Sequence, residues 1–162
     1  MSVKRLFLFC LLILLFSSVT ELFPQQDVIL RKLSGDADVI LTGKVIKQES
    51  AWNENKTRII THTTIKSDEY LKGNVTAGSV VVTHPGGEVD GVGEIYSHMP
   101  AFRNDEEVLV FLKKNKTGSD YNIVGGEEGK IVIMNSASGE KITASNVPVN
   151  MLKAQIQKFT NQ

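Results

Sequence analysis

The chain has 162 residues, of which 18 are basic and 18 are acidic, so its formal net charge is zero. A neutral chain lacks the basic footprint by which proteins bind nucleic acid or anionic lipid. Apolar residues make up 41% of the sequence and charged residues 22%, which is typical of a folded globular domain and excludes a disordered chain. This length predicts a single domain with one core.

Residues 1–26 have the composition of a secretory signal peptide. Lys4 and Arg5 form a positive start, and eleven unbroken apolar residues follow from Leu6 to Phe16 before serines interrupt the run. That order is typical of a cleaved signal, and the run is too short for a membrane-spanning helix, which needs about 20 residues. We therefore expect export to the periplasm or the extracellular space. Residues 27–162 then form a single β-barrel domain with no stable membrane anchor.

Cys10 is the only cysteine, and it lies inside the apolar run of the signal. The bulky Phe9 before it disfavours lipid attachment. Without the signal the chain has no cysteine, which excludes disulfides, thiol catalysis and cysteine-ligated zinc. Its 16 basic and 17 acidic residues give a charge of −1. An exported chain without cysteine fits a bacterial envelope better than a eukaryotic secretory pathway.

The first half of the mature chain predicts a helical turn and four strands. In order these are the turn Asp27–Leu33 and strands at Ala37–Ile46, Arg58–Leu71, Gly78–His84 and Val89–Tyr96. Gly43 inside the first strand predicts a bend or bulge. Between the first two strands we expect a polar loop over Gln48–Lys56 that contains Trp52. Pro85-Gly86 fits a type II turn, so Val89–Tyr96 should return beside the strand that precedes it.

The second half predicts a loop, a core strand, three shorter strands and a helix. In order these are the loop Ser97–Asp105 and strands at Glu107–Lys113, Tyr121–Val124 and Lys130–Met134, with a small hairpin closing at Ile142. The C-terminal helix, residues 148–160, carries an apolar stripe at Val149, Leu152, Ile156 and Phe159. We predict a mainly β protein, a small OB-like barrel or sandwich of about six to eight strands with this helix docked on it.

Several short motifs carry a resemblance to known proteins. They are Ala37–Val45, Tyr70–Gly73, Pro85–Gly87, Pro100 and Phe102 before Glu107–Leu112, and Gly129-Lys130. Together they resemble the OB-like β-barrel modules of secreted bacterial proteins, most of which have no assigned function. They are distantly similar to netrin-like domains, which include metalloproteinase inhibitors. In those inhibitors an amino-terminal cysteine chelates the target's zinc, and the mature chain here has no cysteine, so that mechanism does not carry over.

The residue types used in catalysis do not form a recognisable motif. His62, His84 and His98 are separated by 22 and 14 residues, which matches no local metal motif. The acidic runs 105–107 and 127–128 are typical of solvated loop charge, because adjacent carboxylates point apart. Neither glycine-rich stretch, 91–96 or 125–129, forms a phosphate cradle, and no G-x-S-x-G is present. The sequence favours a non-enzyme and predicts no catalytic residue, cofactor or metal ligand.

The leading functional hypothesis is a secreted, non-catalytic binding or interaction module. Its candidate contact residues lie in or beside loops: Trp52, His84, Met99 and Phe102. The expected partner is another envelope or extracellular protein or an oligosaccharide, and the neutral charge argues against nucleic acid. The alternative is a metal-binding protein or metal-assisted hydrolase that uses the scattered histidines. A third hypothesis is an accessory role beside a separate protease.

Overall fold

The computed structural model describes residues 24–116 and 118–161, with side chains from Asp27 onward. Residues 1–23 of the predicted signal peptide lie outside the described residues. The chain divides into two compact units, Met1–Leu30 and Arg31–Gln162. The elements are α1 (Pro24–Asp36), β1 (Val39–Trp52), β2 (Ile59–Lys72), β3 (Ser79–Pro85), β4 (Gly87–Val89), β5 (Val92–Glu94), β6 (Glu107–Lys114), β7 (Tyr121–Ile123), β8 (Lys130–Asn135), β9 (Lys141–Thr143) and α2 (Val149–Thr160).

Five strands of the second unit close into a barrel in the order β1-β2-β3-β7-β6, and β6 pairs back onto β1. The neighbours are antiparallel except β3 and β7, which are parallel and meet at Val82 and Tyr121. Strands β8 and β9 extend the sheet from β6. The described chain is therefore a mainly β protein built on a closed five-stranded barrel with additional strands and a C-terminal helix, as the sequence predicts.

The first strand is longer than the sequence predicts, and the polar loop expected at Gln48–Lys56 is wrong for most of its length. Strand β1 continues to Trp52, which pairs with Ile59 at the start of β2. In this part of β1 exposed residues alternate with half-buried ones. The half-buried positions include the polar Gln48 and Ser50, so the alternation of apolar and polar residues that marks a half-buried strand is missing there.

The bulge predicted at Gly43 is confirmed. The pairing of β1 with β2 shifts register between Thr42 and Gly43. A Cβ atom at Gly43 would clash with the carbonyl oxygen of Lys66 and the side chain of Ile65. The two backbones approach so closely at this bend that only glycine fits.

The strand expected at Val89–Tyr96 does not return beside β3. Instead β4 and β5 pair with each other in a separate two-stranded sheet. The turn between them is Asp90-Gly91, with φ of 52° and 79°, and positive φ at both positions is what a tight two-residue hairpin turn requires. Strand β3 finds its second neighbour in β7.

The core fills the barrel with apolar side chains from its strands and with Phe102 from the segment that precedes β6. They are Val39, Leu41, Val45, Ile65, Val80, Val82, Phe102, Val108, Val110, Leu112 and Tyr121. The predicted core strand is confirmed, since every residue from Val108 to Leu112 is fully buried. Successive side chains of a strand point to opposite faces, so Leu109 and Phe111 are buried outside the barrel wall.

The C-terminal helix packs against β2 and β9 through its apolar stripe. Val149, Leu152 and Ile156 are buried, as the stripe predicts. Phe159 is half-buried, with the guanidinium of Arg31 at 4.8 Å from its ring centre. Within residues 24–116 and 118–161, no helix combines the length and the apolar character needed to cross a membrane.

Candidate interaction surface

The four candidate contact residues lie in two different environments. His84 and Phe102 are buried and are brought together, with ring centroids 5.4 Å apart and planes inclined by 33°. Met99 is exposed, and Trp52 is half-buried at the end of β1. The first two therefore belong to the interior, and the last two are accessible to a ligand.

Residues 86–106, here called the bridging segment, connect β3 to β6 and carry the β4–β5 hairpin. The segment starts at Gly86 and Gly87, whose φ values are 95° and 128°. A Cβ atom at Gly87 would clash with the hydroxyls of Ser50 and Thr61. Those hydroxyls lie 2.8 Å apart, and Thr61 donates to the carbonyl of Gly86 at 2.5 Å. The glycines let the backbone rest directly on the polar ends of β1 and β2.

Hydrogen bonds fix the middle of the bridging segment to the barrel. The backbone N–H of Ile59 donates to the Glu94 carboxylate at 3.0 Å, and the Tyr96 hydroxyl donates to the same oxygen at 3.1 Å. This bond to a carboxylate raises the pKa of Tyr96. Farther along, the backbone N–H of Glu127 donates to the carbonyl of His98 at 3.0 Å. The charge of Glu94 is thus used inside the fold.

Apolar side chains project into solvent between these attachment points. We call Val92, Ile95, Tyr96 and Met99 the hairpin surface; Val92, Ile95 and Met99 are exposed, and Ile95 is 98% exposed. Met99 closes a turn by donating its N–H to the carbonyl of Tyr96 at 3.3 Å. Trp52 lies at the same end of the barrel, since it pairs with the Ile59 that Glu94 holds. Clustered exposed apolar residues on a folded protein mark interaction sites.

A buried ion pair anchors the far end of the bridging segment. The Lys130 ammonium lies 2.7 Å from the Glu106 carboxylate, and their side chains are only 6% and 13% exposed. The same ammonium donates to the carbonyl of Ala101 and lies 4.7 Å from the ring centre of Phe102. We call Lys130, Glu106, Phe102 and the adjacent His84 the Lys130 clasp. Glu106 is therefore not the solvated loop charge that the sequence predicts.

Both ring nitrogens of His84 have partners inside the fold. Nδ1 lies 3.2 Å from the carbonyl oxygen of Pro85, and Nε2 lies 3.2 Å from the Thr63 hydroxyl. A carbonyl only accepts, so Nδ1 carries the proton, and Nε2 accepts from Thr63 in the neutral ring. Burial lowers the pKa of His84, and the charges of His62 and Lys130 lower it further against the opposing Pro85 carbonyl. His84 is therefore neutral at neutral pH.

The three histidines do not converge on one site. His62 and His98 are exposed, whereas His84 is buried with its nitrogens occupied. In the part of the chain that the structure describes, no group of three or more His, Cys, Asp or Glu residues is arranged to hold a metal ion. The described geometry therefore offers no support for the metal-based alternative.

A separate cleft of about 150 Å³ lies beside α2 and is lined mainly by charged side chains of β2, β6, β9 and α2. Lys141 binds Glu107 at 2.5 Å, and Lys153 binds Glu69 at 2.6 Å. These ion pairs neutralise most of the lining and tie α2 and β9 to the barrel. The cleft is therefore a contact region in which ion pairs hold α2 and β9 against the barrel.

Sequence reasoning missed Val92, Ile95 and Tyr96, because it placed them in a strand beside β3. The Asp90-Gly91 dipeptide was the signal that would have placed them next to a projecting hairpin. The sequence matches no protein-family model, and no curated protein matches it. The function is therefore argued from the residues of this chain alone.

Proposed function

We propose that the protein is an exported, non-catalytic interaction module that binds a partner protein through the hairpin surface. The observation that carries the proposal is the 98% exposure of Ile95 within a segment that is attached to the barrel on both sides. Export to the periplasm or beyond rests on the signal-peptide composition of residues 1–26.

The attachment of the bridging segment favours binding. Ile59 is bonded to both ends of the hairpin, because its carbonyl accepts from the N–H of Gly86 at 2.9 Å and its N–H donates to Glu94. The carbonyl of His98 then fixes the chain just before Met99. A preorganised surface loses less conformational entropy when it binds, so more of its contact energy appears as affinity.

The chemistry of the hairpin surface favours a protein with an apolar patch as the partner. Residues 92–99 contain one acidic residue, Glu94, and no lysine or arginine. Its carboxylate is bonded to Ile59 and Tyr96, so the surface presents mainly apolar and aromatic groups. Aromatic residues and methionine are enriched in protein interfaces, whereas nucleic acid requires a row of cations. Another envelope or extracellular protein fits this surface better than an oligosaccharide.

Site-specific photo-crosslinking in cells of the source organism tests the proposal. The full-length chain carries a photoreactive residue in place of Ile95 or, as the matched control, in place of Ile46. Ile46 is also apolar and 53% exposed but lies on β1. We expect a discrete crosslinked protein from position 95, found in the exported fraction, and none from position 46.

Paired charge substitutions provide the quantitative arm of the test. Ile95→Asp should weaken recovery of the crosslinked partner about 30-fold or more, the effect of losing a central contact worth about 2 kcal/mol. Ile46→Asp should leave recovery unchanged, and both variants should unfold within about 0.5 kcal/mol of the wild type. Equal crosslinking at both positions, or full recovery with Ile95→Asp, would refute the proposal.

A further inference from the structure

We infer that the Lys130 clasp is acid-sensitive. When His84 gains a proton, residues 100–104 detach from the barrel, and Met99 of the hairpin surface loses the attachment that these residues provide. The consequence for partner binding rests on the function proposed above. The detachment itself stands on the geometry of the clasp alone.

The hydrogen bonds around His84 suit the neutral ring and not the charged one. In the neutral ring, Nδ1–H donates to Pro85 and the Thr63 hydroxyl donates to Nε2. After protonation Nε2–H must donate to the Thr63 oxygen, so the hydroxyl proton of Thr63 has to turn away from His84. Thr63 is fully buried, and a buried donor that loses its acceptor is unfavourable.

The charges that face His84 also oppose its protonation. His62 from β2 and Lys130 from β8 both act on it as positive charges. Glu106 is the carboxylate of the clasp, and Lys130 already binds it at 2.7 Å. An imidazolium at this position therefore enters a buried site with cations beside it and no carboxylate of its own.

Phe102 is the part of the clasp that gives way. Its ring lies 5.4 Å from the centroid of His84 and 4.7 Å from the Lys130 ammonium. Residues 105 and 106 stay attached, because Asp105 N–H donates to Val45 and Val45 N–H donates to Glu106, each at 2.9 Å. Solvent reaches a charged His84 when Phe102 moves out, and residues 100–104 move with it. This motion breaks the bonds that hold the stretch, which run from Lys130 to the Ala101 carbonyl, from the Arg103 N–H to the Glu106 carboxylate and from Gln48 to Asn104.

The hairpin surface feels this motion directly, because Met99 precedes Pro100 in the chain. Pro100 and Phe102 are the buried residues of the detaching stretch. Once they leave the barrel, Met99 is held from its amino-terminal side alone, by its N–H bond to Tyr96 and by the bond of His98 to Glu127. A partner that contacts Met99 is then bound more weakly in acid than at neutral pH.

Amide hydrogen exchange tests the detachment on the purified exported protein, without any partner. Within residues 101–104 the reporter is the Arg103 amide, whose N–H donates to the Glu106 carboxylate at 3.2 Å. After correction for the intrinsic pH dependence of exchange, its protection should fall about tenfold between about pH 7.5 and about pH 5. Strand β6 should keep its protection. His84→Gln should abolish the response because glutamine does not titrate. The control His62→Gln, at an exposed position, should retain the response with its midpoint at higher pH, because one positive charge that opposes protonation of His84 is gone.

A titration of the wild-type protein gives a second measurement that does not depend on a variant folding. Ring resonances of Phe102 followed by NMR should move with the same midpoint as the ring resonances of His84. Unchanged protection of residues 101–104 in acid, a response that survives in His84→Gln, or different midpoints would each overturn the inference.

The crosslinker at position 95 separates this inference from the proposed function. Crosslinking yield should fall at about pH 5 in the wild type but not in His84→Gln. If residues 101–104 respond to acid while position 95 never yields a crosslinked protein, the clasp stands and the proposed function fails. If the crosslink forms equally at both pH values and protection does not change, the clasp fails and the proposed function stands.

Discussion

Replacing Lys130 by methionine removes one charge from the buried pair and keeps a straight side chain. Glu106 then remains in a site where its side chain is 13% exposed, with the Arg103 N–H at 3.2 Å as its remaining donor. Removing one member of a buried ion pair costs about 3–5 kcal/mol, because the other charge stays desolvated. We expect the free energy of unfolding of Lys130→Met to fall by that amount.

The contacts of Lys130 account for a loss of this size. Its bond to Glu106 is a charge-assisted one worth about 1.5–3 kcal/mol, and its position over Phe102 contributes up to about 2 kcal/mol when desolvated. The bond to the Ala101 carbonyl is lost as well. Contacts that share one group do not add, so the total stays near the range for a buried pair. It is a large share of the roughly 5–15 kcal/mol that stabilises a domain.

Lys44→Met is the matched control. Lys44 lies 2.7 Å from Asp105, the same separation as in the buried pair, but these side chains are 45% and 83% exposed. Solvent screening leaves an exposed pair little net contribution to stability. Lys44→Met therefore reports the loss of an exposed charge pair, whereas Lys130→Met removes a buried charge together with its contacts to Ala101 and Phe102.

Urea denaturation measures both variants. With a slope of about 2 kcal/mol per molar, the midpoint should fall by about 2 M for Lys130→Met and by less than about 0.5 M for Lys44→Met. Adding Glu106→Leu to Lys130→Met removes the stranded carboxylate and should restore most of the loss. Equal small shifts for the two lysine variants, or no recovery in the double variant, would show that the Lys130 pair is solvated and the reasoning wrong.

Two further perturbations probe the backbone and the barrel exterior. Alanine at Gly93, where a Cβ has open space, should change stability by less than about 0.5 kcal/mol; at Gly91, with φ of 79°, it should cost about 1–2 kcal/mol. At Gly87, where backbone strain and a clash combine, alanine should cost more than about 2 kcal/mol. Equal losses of unfolding free energy in the three alanine variants, measured by denaturation, would contradict this ranking. The Thr83 hydroxyl lowers the pKa of Asp120, so Thr83→Val should raise that pKa in a carbon-13 NMR titration. The Thr83–Asp120 bond stabilises the fold fully above the unfolded-state pKa of Asp120, and this stabilisation is lost as the pH falls through the folded-state pKa. An unchanged Asp120 titration in Thr83→Val would contradict the bond.

The sequence predicts an element of the fold correctly wherever burial produces a regular pattern of apolar residues. Strand β6 is buried on both faces, and its uninterrupted apolar run marks it as a core strand. Helix α2 buries one stripe, so its apolar residues recur at helical spacing. The unbroken apolar run of β6 marks a strand that is covered on both faces, and the helical spacing in α2 marks one buried face.

The outer end of β1 and the β4–β5 hairpin were not predictable in the same way. Near Trp52 the half-buried face of β1 carries the polar Gln48 and Ser50, so burial alternates along the strand but hydrophobicity does not. Two turn signals compete in the next region, because Pro85-Gly86 and Asp90-Gly91 are only five positions apart. When the turn is placed at Pro85-Gly86 alone, the sequence predicts one continuous strand at Val89–Tyr96 and the hairpin at Asp90-Gly91 is missed.

The accessible and buried halves of the candidate site differ in what the sequence reveals. An aromatic or methionine in a loop is a reasonable contact residue by type, but its type does not say whether it points inward, as Phe102 does, or outward, as Met99 does. Lys130 and Glu106 are 24 positions apart and carry no local motif. In the sheet Lys130 lies opposite Val110, four positions from Glu106 along the chain. Neither sequence spacing nor strand register therefore predicts their pairing.

The clasp holds the bridging segment with a buried ion pair, although apolar side chains of similar size can hold a core equally well or better. Stability alone therefore does not explain Lys130 and Glu106. What the pair adds is a fixed positive charge beside Phe102 and near His84, with its carboxylate already engaged. A methionine and leucine in their place would keep the segment attached and would leave a protonated His84 with one less charge to oppose it. The ion pair thus adds one positive charge to the burial and to the His62 charge, which already disfavour protonation of His84.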